Sequence, residues 1–126
     1  NVSEDVIFTD FIPLEDMPIF YNSAEVLVYP SFYEGFGLPP LEAMACGTPV
    51  IASNVTSLPE VCNDSALLVD PNNIYQLSNS MDNVISDNKL MIRMSKNGLA
   101  RSSDFSWKKT ASHTIAAYSN ILINKD

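Results

Sequence analysis

Four short, mostly apolar runs, each followed by a proline or a polar residue, constrain the fold of this 126-residue chain more than any other feature. The runs lie at residues 6–8, 25–29, 48–52 and 66–69. Segments of this length that alternate with helical patterns are typical of parallel strands covered on both faces. We therefore predict a Rossmann-like α/β fold with an open parallel sheet of four strands.

Helical patterns fill much of the remaining chain. The predicted helices cover residues 14–23, 41–46, 74–85 and 88–101. A last helix begins after Ser106, which is a suitable N-cap residue. Its apolar stripe is expected to pack in the core or against another domain, and consists of Trp107, Ala111, Ile115, Tyr118 and Leu122. His113 lies off this stripe and is expected to be solvated.

Ligands of open parallel sheets bind at the carboxyl ends of the strands, here near Asp10, Pro30, Ser53 and Asp70. The formal charge is −8, and all seven Lys and Arg residues lie at position 89 or later. This distribution argues against a nucleic-acid partner, because phosphate neutralisation requires clustered basic side chains. An anion bound by the first 88 residues must be held by backbone amides or by cations from another segment.

Membrane and metal sites are not indicated. No apolar stretch reaches the roughly 20 residues that span a bilayer, and the first residues lack the pattern of a signal peptide. Cys46 and Cys62 lie in unrelated contexts, which favours buried free thiols over a metal or redox site. We therefore expect a chain without membrane contacts in a reducing cytoplasm.

The segment from residue 30 to residue 49 carries the chemistry. Gly35 and Gly37 flank one aromatic residue, which permits unusual dihedral angles and the close approach of a ligand. Pro39 and Pro40 suit the first turn of a helix that Gly47 ends. The free N–H groups and the positive dipole end of this helix are predicted to form an anion site without any lysine.

Two carboxylates bracket this predicted anion site. Glu34 precedes the helix, and Glu42 lies in its first turn or just beyond. An ionised carboxylate accepts two hydrogen bonds from a vicinal diol, which suits a sugar ligand. A second interpretation stays open for each residue, since Glu42 could complement the helix dipole and Glu34 could be a solvated loop residue.

Residues 34–50 resemble the signature of the retaining glycosyltransferases with GT-B architecture, family 4, in which seven residues separate two glutamates. Two glutamates at this spacing are weak evidence, but the ordered match over the whole segment is strong. Further similarity covers residues 8–13, 53–61, 67–71 and 105–107. The resemblance implies that residues 1–126 are a single, partial domain, which forms the C-terminal half of a GT-B fold.

The resemblance also implies roles for individual residues. Glu34 is the candidate catalytic residue, near the hydroxyls of the donor sugar, and Glu42 holds the ribose diol. Asp10 stands where many relatives have glycine, so the turn there is expected to differ. The residues implied to bind the substrate, mainly through backbone amides at 36–38 and through a nucleobase contact at Ile12, are Ile12, Gly35, Phe36, Gly37, Leu38 and Glu42.

The implied reaction transfers a hexosyl group from a nucleoside diphosphate sugar to an acceptor hydroxyl with retention of configuration. It requires no metal and no other cofactor. Family members hold the diphosphate with an Arg and a Lys from an upstream segment, and the acceptor with an N-terminal domain through which some relatives touch membranes. Neither segment is present in this chain, so we expect it to transfer no sugar by itself.

Two alternatives stay open. One is a sugar-nucleotide epimerase or a phosphorylase of GT-B architecture. The other is a binding module that recognises nucleotide sugars without transferring them.

Overall fold

The computed structural model describes residues 2–123, and strands alternate with helices in the first half of this range. Its strands are β1 (Leu27–Tyr29), β2 (Val50–Ser53) and β3 (Leu67–Val69). Its α-helices are α1 (Met17–Ser23), α2 (Leu38–Ala45), α3 (Leu58–Cys62), α4 (Ile74–Ser86), α5 (Asn88–Ser102) and α6 (Trp107–Ile123). Single 3₁₀ turns lie at Ser3–Asp5 and Asn63–Ser65.

The strands form one parallel sheet in the order β1-β2-β3. Val28 lies beside Ile51, which in turn lies beside Leu67. All of β2 is buried, whereas β1 is half-buried. A strand with a neighbour on each side and helices on both faces needs apolar side chains in both orientations, which explains the continuous apolar run at 50–52. The predicted open parallel α/β sheet is confirmed.

The predicted strand at residues 6–8 is wrong. This segment forms no strand, and its side chains are exposed, that of Phe8 to 87%. A strand needs a paired backbone, and within residues 2–123 no segment pairs with residues 6–8. The described sheet therefore has three strands rather than four.

Helices cover the sheet on both faces. One core cluster lies against α1, α2 and α3, and consists of Tyr21, Ala43, Met44, Val50, Ala52, Leu58 and Cys62. The other lies against α4 and α5, and consists of Ile51, Val69, Val84 and Met94. Because successive side chains of a strand point to opposite faces, β2 contributes to both clusters.

Five of the six helices occupy the predicted ranges to within a few residues, whereas α3 was not predicted as a helix. Polar side chains cap three of them, and Asp87 caps α5 by accepting from the backbone N–H groups of Lys89 and Leu90. Asn73 accepts a hydrogen bond from the backbone N–H of Gln76 over 2.9 Å at the start of α4. The Ser106 hydroxyl accepts one from the backbone N–H of Lys109 over 3.1 Å. The predicted role of Ser106 as an N-cap is therefore confirmed.

The apolar stripe of α6 is not part of the core. All five of its residues are exposed, and Trp107 and Leu122 are 80% and 71% exposed. The expectation of core packing is wrong, because the elements within residues 2–123 leave the stripe uncovered. Packing against another domain stays a prediction. No helix in this part of the chain has both the length and the apolar character to cross a bilayer, and His113 is exposed, as predicted.

The two thiols differ in burial. Both cysteines are free, and Cys62 is buried whereas Cys46 is half-buried. Burial raises the pKa of the Cys62 thiol to about 11. Cys62 is therefore a protonated core side chain, as expected.

Gly98 lets α5 pack closely against α2. A Cβ atom at this position would lie 3.2 Å from Cγ and 3.4 Å from Cα of Met44. Both residues are buried, so the surrounding side chains leave little room for adjustment.

We expect Gly98→Val to lower the free energy of unfolding by about 1–3 kcal/mol, because the added methyl groups overpack the contact with Met44. Ala100→Val introduces the same side chain at an exposed position of the same helix and should lower it by less than about 1 kcal/mol. Urea denaturation followed by circular dichroism measures both values. An equal loss in the two variants would show that the contact with Met44 does not account for the effect of Gly98→Val.

Candidate functional site

Residues 34–37, called the 34–37 loop below, follow β1 and lead into α2. The loop after β2 lies beside them, because the carboxyl ends of parallel strands meet at one edge of the sheet. The backbone N–H of Glu34 donates to Thr56 Oγ1 over 3.2 Å, and the Ser57 hydroxyl donates to the Glu34 carbonyl over 3.0 Å. The loop after β2 therefore fixes the backbone of Glu34 through both of its polar groups.

Tyr29, the last residue of β1, orients the side chain of Glu34. Its hydroxyl donates to Glu34 Oε1 over 2.7 Å. This hydrogen bond, with a second contribution from Ser31, lowers the pKa of the Glu34 carboxyl. The same hydrogen bond and partial burial raise the pKa of Tyr29 to about 12. At neutral pH the pair therefore consists of an ionised carboxylate and a neutral hydroxyl.

Tyr21 holds Glu42 in a second pair of the same kind. The Tyr21 hydroxyl donates to Glu42 Oε2 over 3.1 Å. Burial, followed by the charge of Glu42, raises the pKa of Tyr21 to about 12. Glu42 is itself exposed, and no residue in the 2–123 range donates to its Oε1 atom. Because α2 has no acidic residue in its first turn, the interpretation of Glu42 as a dipole partner is not supported.

Gly37 occupies a position that only glycine fits. It precedes α2 with φ of 108°, in the left-handed region. A Cβ atom at this position would lie 2.7 Å from Cδ2 of Leu58, the first residue of α3. Gly35 differs, since its Cβ would meet no atom within 4 Å. Gly37 is therefore needed for the close contact with Leu58, whereas a side chain at Gly35 would point into open space.

The start of α2 offers fewer donors than a full helical turn. Leu38 is the first residue of α2, and Pro39 and Pro40 have no N–H group. The backbone N–H groups of Phe36, Gly37 and Leu38 have no acceptor among residues 2–123. The expectation that the helical turn supplies the donors is therefore corrected, because the free N–H groups belong mainly to the loop before it.

A cleft of about 320 Å³ opens beside Glu42, between α2 and the start of α6. Phe36, Leu38 and Glu42 line it together with Phe105 and Trp107. Three residues predicted for the site thus share one surface. The lining is mostly apolar, with Glu42 as its charged residue, a composition typical of small-molecule sites.

Two aromatic rings join the 34–37 loop to the corner between α5 and α6. The ring centroids of Phe36 and Phe105 are 5.9 Å apart, and their planes meet at 83°, which is an edge-to-face contact. The guanidinium carbon of Arg101 lies 4.7 Å from the centroid of the Phe105 ring. The loop thus contacts a segment far from it in sequence.

Ile12 lies apart from this group of residues. It is half-buried in the irregular segment before α1 and does not line the cleft beside Glu42. Asp10, where the resemblance implies glycine in many relatives, has φ of 52°, in the left-handed region that favours glycine. The turn at Asp10 therefore has a conformation that glycine also adopts. The expectation that this turn differs from the turn of relatives with glycine gains no support. The contact of Ile12 with a nucleobase stays a prediction.

Four residues at this site were missed by sequence reasoning: Tyr21, Tyr29, Arg101 and Phe105. Tyr29 carried a usable signal, because it ends a strand at the edge where ligands bind. Phe105 carried one too, because it lies in the segment 105–107 that resembles the family. Tyr21 and Arg101 carried none, since their partners are remote in sequence. Tyr21 is 21 residues from Glu42, and Arg101 is 40 residues from Val61, whose carbonyl it contacts.

Glu34, Gly35 and Gly37 do not line the cleft beside Glu42. The groups of the cleft and of the 34–37 loop together suit a ligand that combines hydroxyl groups with an anion. The two carboxylates can accept hydrogen bonds from diols, and the free N–H groups at 36–38 can donate to an anion or to hydroxyl oxygens. The apolar cleft can contact the flat face of a ring.

Known proteins show similarity over most of the chain. A sequence model of the family described as glycosyl transferases group 1 matches residues 1–101. The chain is 47% identical over 111 residues to O-antigen chain mannosyltransferase B of Escherichia coli, which covers 88% of the chain and 29% of that protein. It is 38% identical over 122 residues to MMP alpha-(1->4)-mannosyltransferase of Mycolicibacterium hassiacum, covering 94% of the chain and 30% of that protein. The chain thus spans less than a third of the length of these relatives.

Solved structures share the fold. Sucrose-phosphate synthase from Thermosynechococcus elongatus superimposes with a TM-score of 0.87 at 36% identity, over 98% of this chain and 32% of that one. The C-terminal domain of a glycosyl transferase group 1 family protein (LpcC) from Francisella tularensis superimposes with a TM-score of 0.72 at 35% identity, over 82% of this chain and 54% of that one. The family match and these superpositions agree with the resemblance of residues 34–50. The chain belongs to the glycosyl transferases group 1 family and has the fold of the C-terminal domain of a GT-B glycosyltransferase.

Proposed function

We propose that this chain is the donor-binding part of a retaining glycosyltransferase, which moves a hexosyl group from a nucleoside diphosphate sugar to an acceptor hydroxyl. The observation that carries the proposal is the pair of tyrosine-held carboxylates, Glu34 and Glu42, which flank the free N–H groups at 36–38 in sequence. Such an arrangement meets the needs of a ligand with two diols and a diphosphate between them.

In this proposal Glu42 holds the ribose diol. One of its oxygens accepts from Tyr21, and the other is free of partners among the described residues. A carboxylate with a fixed orientation and a free oxygen is suited to vicinal hydroxyls. Because the ribose takes no part in the reaction, this contact stabilises the bound donor and the transition state about equally.

Glu34 acts at the sugar. Its carboxylate is ionised, and its backbone and side chain are both held, so its charge has a fixed position. A fixed negative charge beside the anomeric carbon stabilises the positive character that develops there as the leaving group departs. Glu34 therefore contributes mainly to the transition state.

The backbone N–H groups of Phe36, Gly37 and Leu38 donate to the sugar and the diphosphate. Residues 1–88 contain no Lys or Arg, and the Arg101 side chain is bound to backbone carbonyls and to Asp104. Cations that neutralise the leaving diphosphate therefore come from a part of the protein other than residues 1–88. Oriented backbone dipoles supply the remaining stabilisation.

Transfer is tested on the full-length protein that contains this chain, with GDP-mannose and UDP-glucose as donors. Relatives named as mannosyltransferases make mannose the first sugar to test. We expect the release of a nucleoside diphosphate to depend on an acceptor. NMR of the product should show that the new glycosidic linkage has the anomeric configuration of the donor. A new nucleotide sugar formed without acceptor would indicate an epimerase, turnover that needs inorganic phosphate would indicate a phosphorylase, and binding without turnover would indicate a binding module.

The two glutamates should fail in different ways in the full-length enzyme. Glu42→Gln should raise the donor KM and the dissociation constant of the nucleoside diphosphate by about tenfold each, with a smaller change in kcat. Glu34→Gln should lower kcat about a hundredfold or more and leave the nucleoside diphosphate affinity nearly unchanged. Steady-state kinetics and calorimetry provide the three quantities.

Glu25→Gln is the matched control, since Glu25 is exposed and precedes β1 at the opposite end of the strand from the site. It should leave all three quantities unchanged. If Glu34→Gln weakens nucleoside diphosphate binding as much as Glu42→Gln does, the assignment of the sugar to Glu34 and the ribose to Glu42 is wrong.

Tyr29→Phe should move the acid limb of the kcat profile to higher pH. The hydrogen bond from Tyr29 lowers the pKa of Glu34, so its loss raises that pKa and Glu34 becomes protonated at a higher pH. Activity at the upper plateau should change less than activity on the acid limb. Tyr75→Phe, at an exposed position of α4, is the control and should leave the profile in place. An unchanged acid limb in Tyr29→Phe would show that Glu34 does not control it.

A further inference from the structure

We propose that Arg101 and Phe105 are positioning residues for the 34–37 loop, holding Phe36 and, through it, the N–H groups that contact the donor. This inference rests on the proposed function, in which those N–H groups bind the sugar and diphosphate. Arg101 does not line the cleft beside Glu42, and Phe105 lines it with its ring against that of Phe36, so we assign both residues a role that acts through Phe36.

The loop is fixed firmly on one side. Thr56 and Ser57 bind the backbone of Glu34, and the side chain of Leu58 packs against Gly37. All three supporting residues belong to the loop after β2 or to the first turn of α3. The position of this side of the loop therefore depends on the position of α3.

On the other side the loop is held by a ring contact. Phe36 is 43% exposed, and its ring makes an edge-to-face contact with the ring of Phe105. Gly35, next to it, has no atom within 4 Å of its Cβ position. A glycine beside open space restricts the backbone little, so the contact with Phe105 limits the motion of Phe36.

Arg101 connects the two sides. Its Nη2 donates to the Glu60 carbonyl over 2.7 Å and its Nε to the Val61 carbonyl over 2.9 Å, both in α3. The same guanidinium lies over the Phe105 ring and forms an ion pair with Asp104 at 3.1 Å. A planar guanidinium can satisfy two carbonyls and cover a ring at once, which an ammonium group cannot.

These contacts give the 34–37 loop a defined geometry. The loop precedes α2, which has few free N–H donors of its own. Pro39 and Pro40 remove two N–H groups, so the site relies on those of Phe36, Gly37 and Leu38. If these groups move by even about 1 Å, their stabilisation of the transition state falls steeply. Arg101 and Phe105 therefore affect the rate of transfer more than the affinity for the nucleotide, whose ribose is held by Glu42.

The experiment measures kcat and KM for the donor, and the affinity for the nucleoside diphosphate, in the full-length protein. The probes are GDP-mannose with GDP, or UDP-glucose with UDP if that donor is the one transferred. Phe105→Ala and Arg101→Met should each lower kcat by about 10–100-fold and change nucleoside diphosphate affinity by less than about threefold. Phe105→Tyr, which keeps the ring, should restore kcat to within about threefold of the starting protein.

A double-mutant cycle of Phe36→Ala and Phe105→Ala tests whether Phe105 acts through Phe36. The double variant should lose little more than either single variant, because both changes remove one contact. Losses that simply multiply would overturn the proposal. Tyr75→Ala and Arg93→Met, at exposed positions of α4 and α5, are the matched controls and should keep kcat unchanged.

Two further measurements separate the possible failures. Thermal unfolding identifies any variant that loses its fold. If Phe105→Ala does not fold, Phe105→Leu replaces it, and this variant should lower kcat by about 3–10-fold because it lacks the ring edge. If Glu42→Gln leaves nucleoside diphosphate binding unchanged, the proposed function fails. If Glu42→Gln weakens binding while the Phe105 and Arg101 variants keep full kcat, the proposed function stands and this inference fails.

Discussion

β2 is hydrogen-bonded to a parallel strand on each side, and the arrangement of the rest of the chain depends on this pairing. Parallel pairing forces every connection to cross over a face of the sheet, which places helices there and buries all of β2. It also brings the loops after β1 and β2 to the same edge. Thr56 and Ser57 can therefore bind the backbone of Glu34, which lies more than 20 residues earlier in the chain.

The two carboxylates owe their positions to tyrosines whose rings pack with the core while their hydroxyls reach the site. A tyrosine suits this task because its body is apolar and its end is polar. Burial and the charge of Glu42 raise the pKa of Tyr21, and the hydrogen bond to Glu34 and partial burial raise the pKa of Tyr29, so both hydroxyls remain donors at neutral pH. In each pair, a tyrosine that packs with the core thus orients a charged group at the surface.

For the proposed binding of a diphosphate, this acidic chain must limit the repulsion between like charges. Here free backbone N–H groups before α2 lie between the two glutamates in sequence and add partial positive charge without a basic side chain. Arg101 is bound instead to two carbonyl groups of α3 and to Asp104. Its charge is used to join α3 to the corner before α6.

The sequence by itself determined the class of fold, the three strands at 27–29, 50–53 and 67–69, five of the six helices and the segment of the candidate site, because periodicity, caps and glycine positions are local properties. Only the tertiary structure decided which apolar segments are buried against other elements. Residues 6–8 and the stripe of α6 have the composition of buried elements, yet both are exposed, since burial requires a surface to cover them. It also decided which side chains orient the glutamates and which free N–H groups remain. Tyr21, Arg101 and Phe105 meet their partners only after the sheet has formed, because such contacts depend on distances in space rather than on distances along the chain.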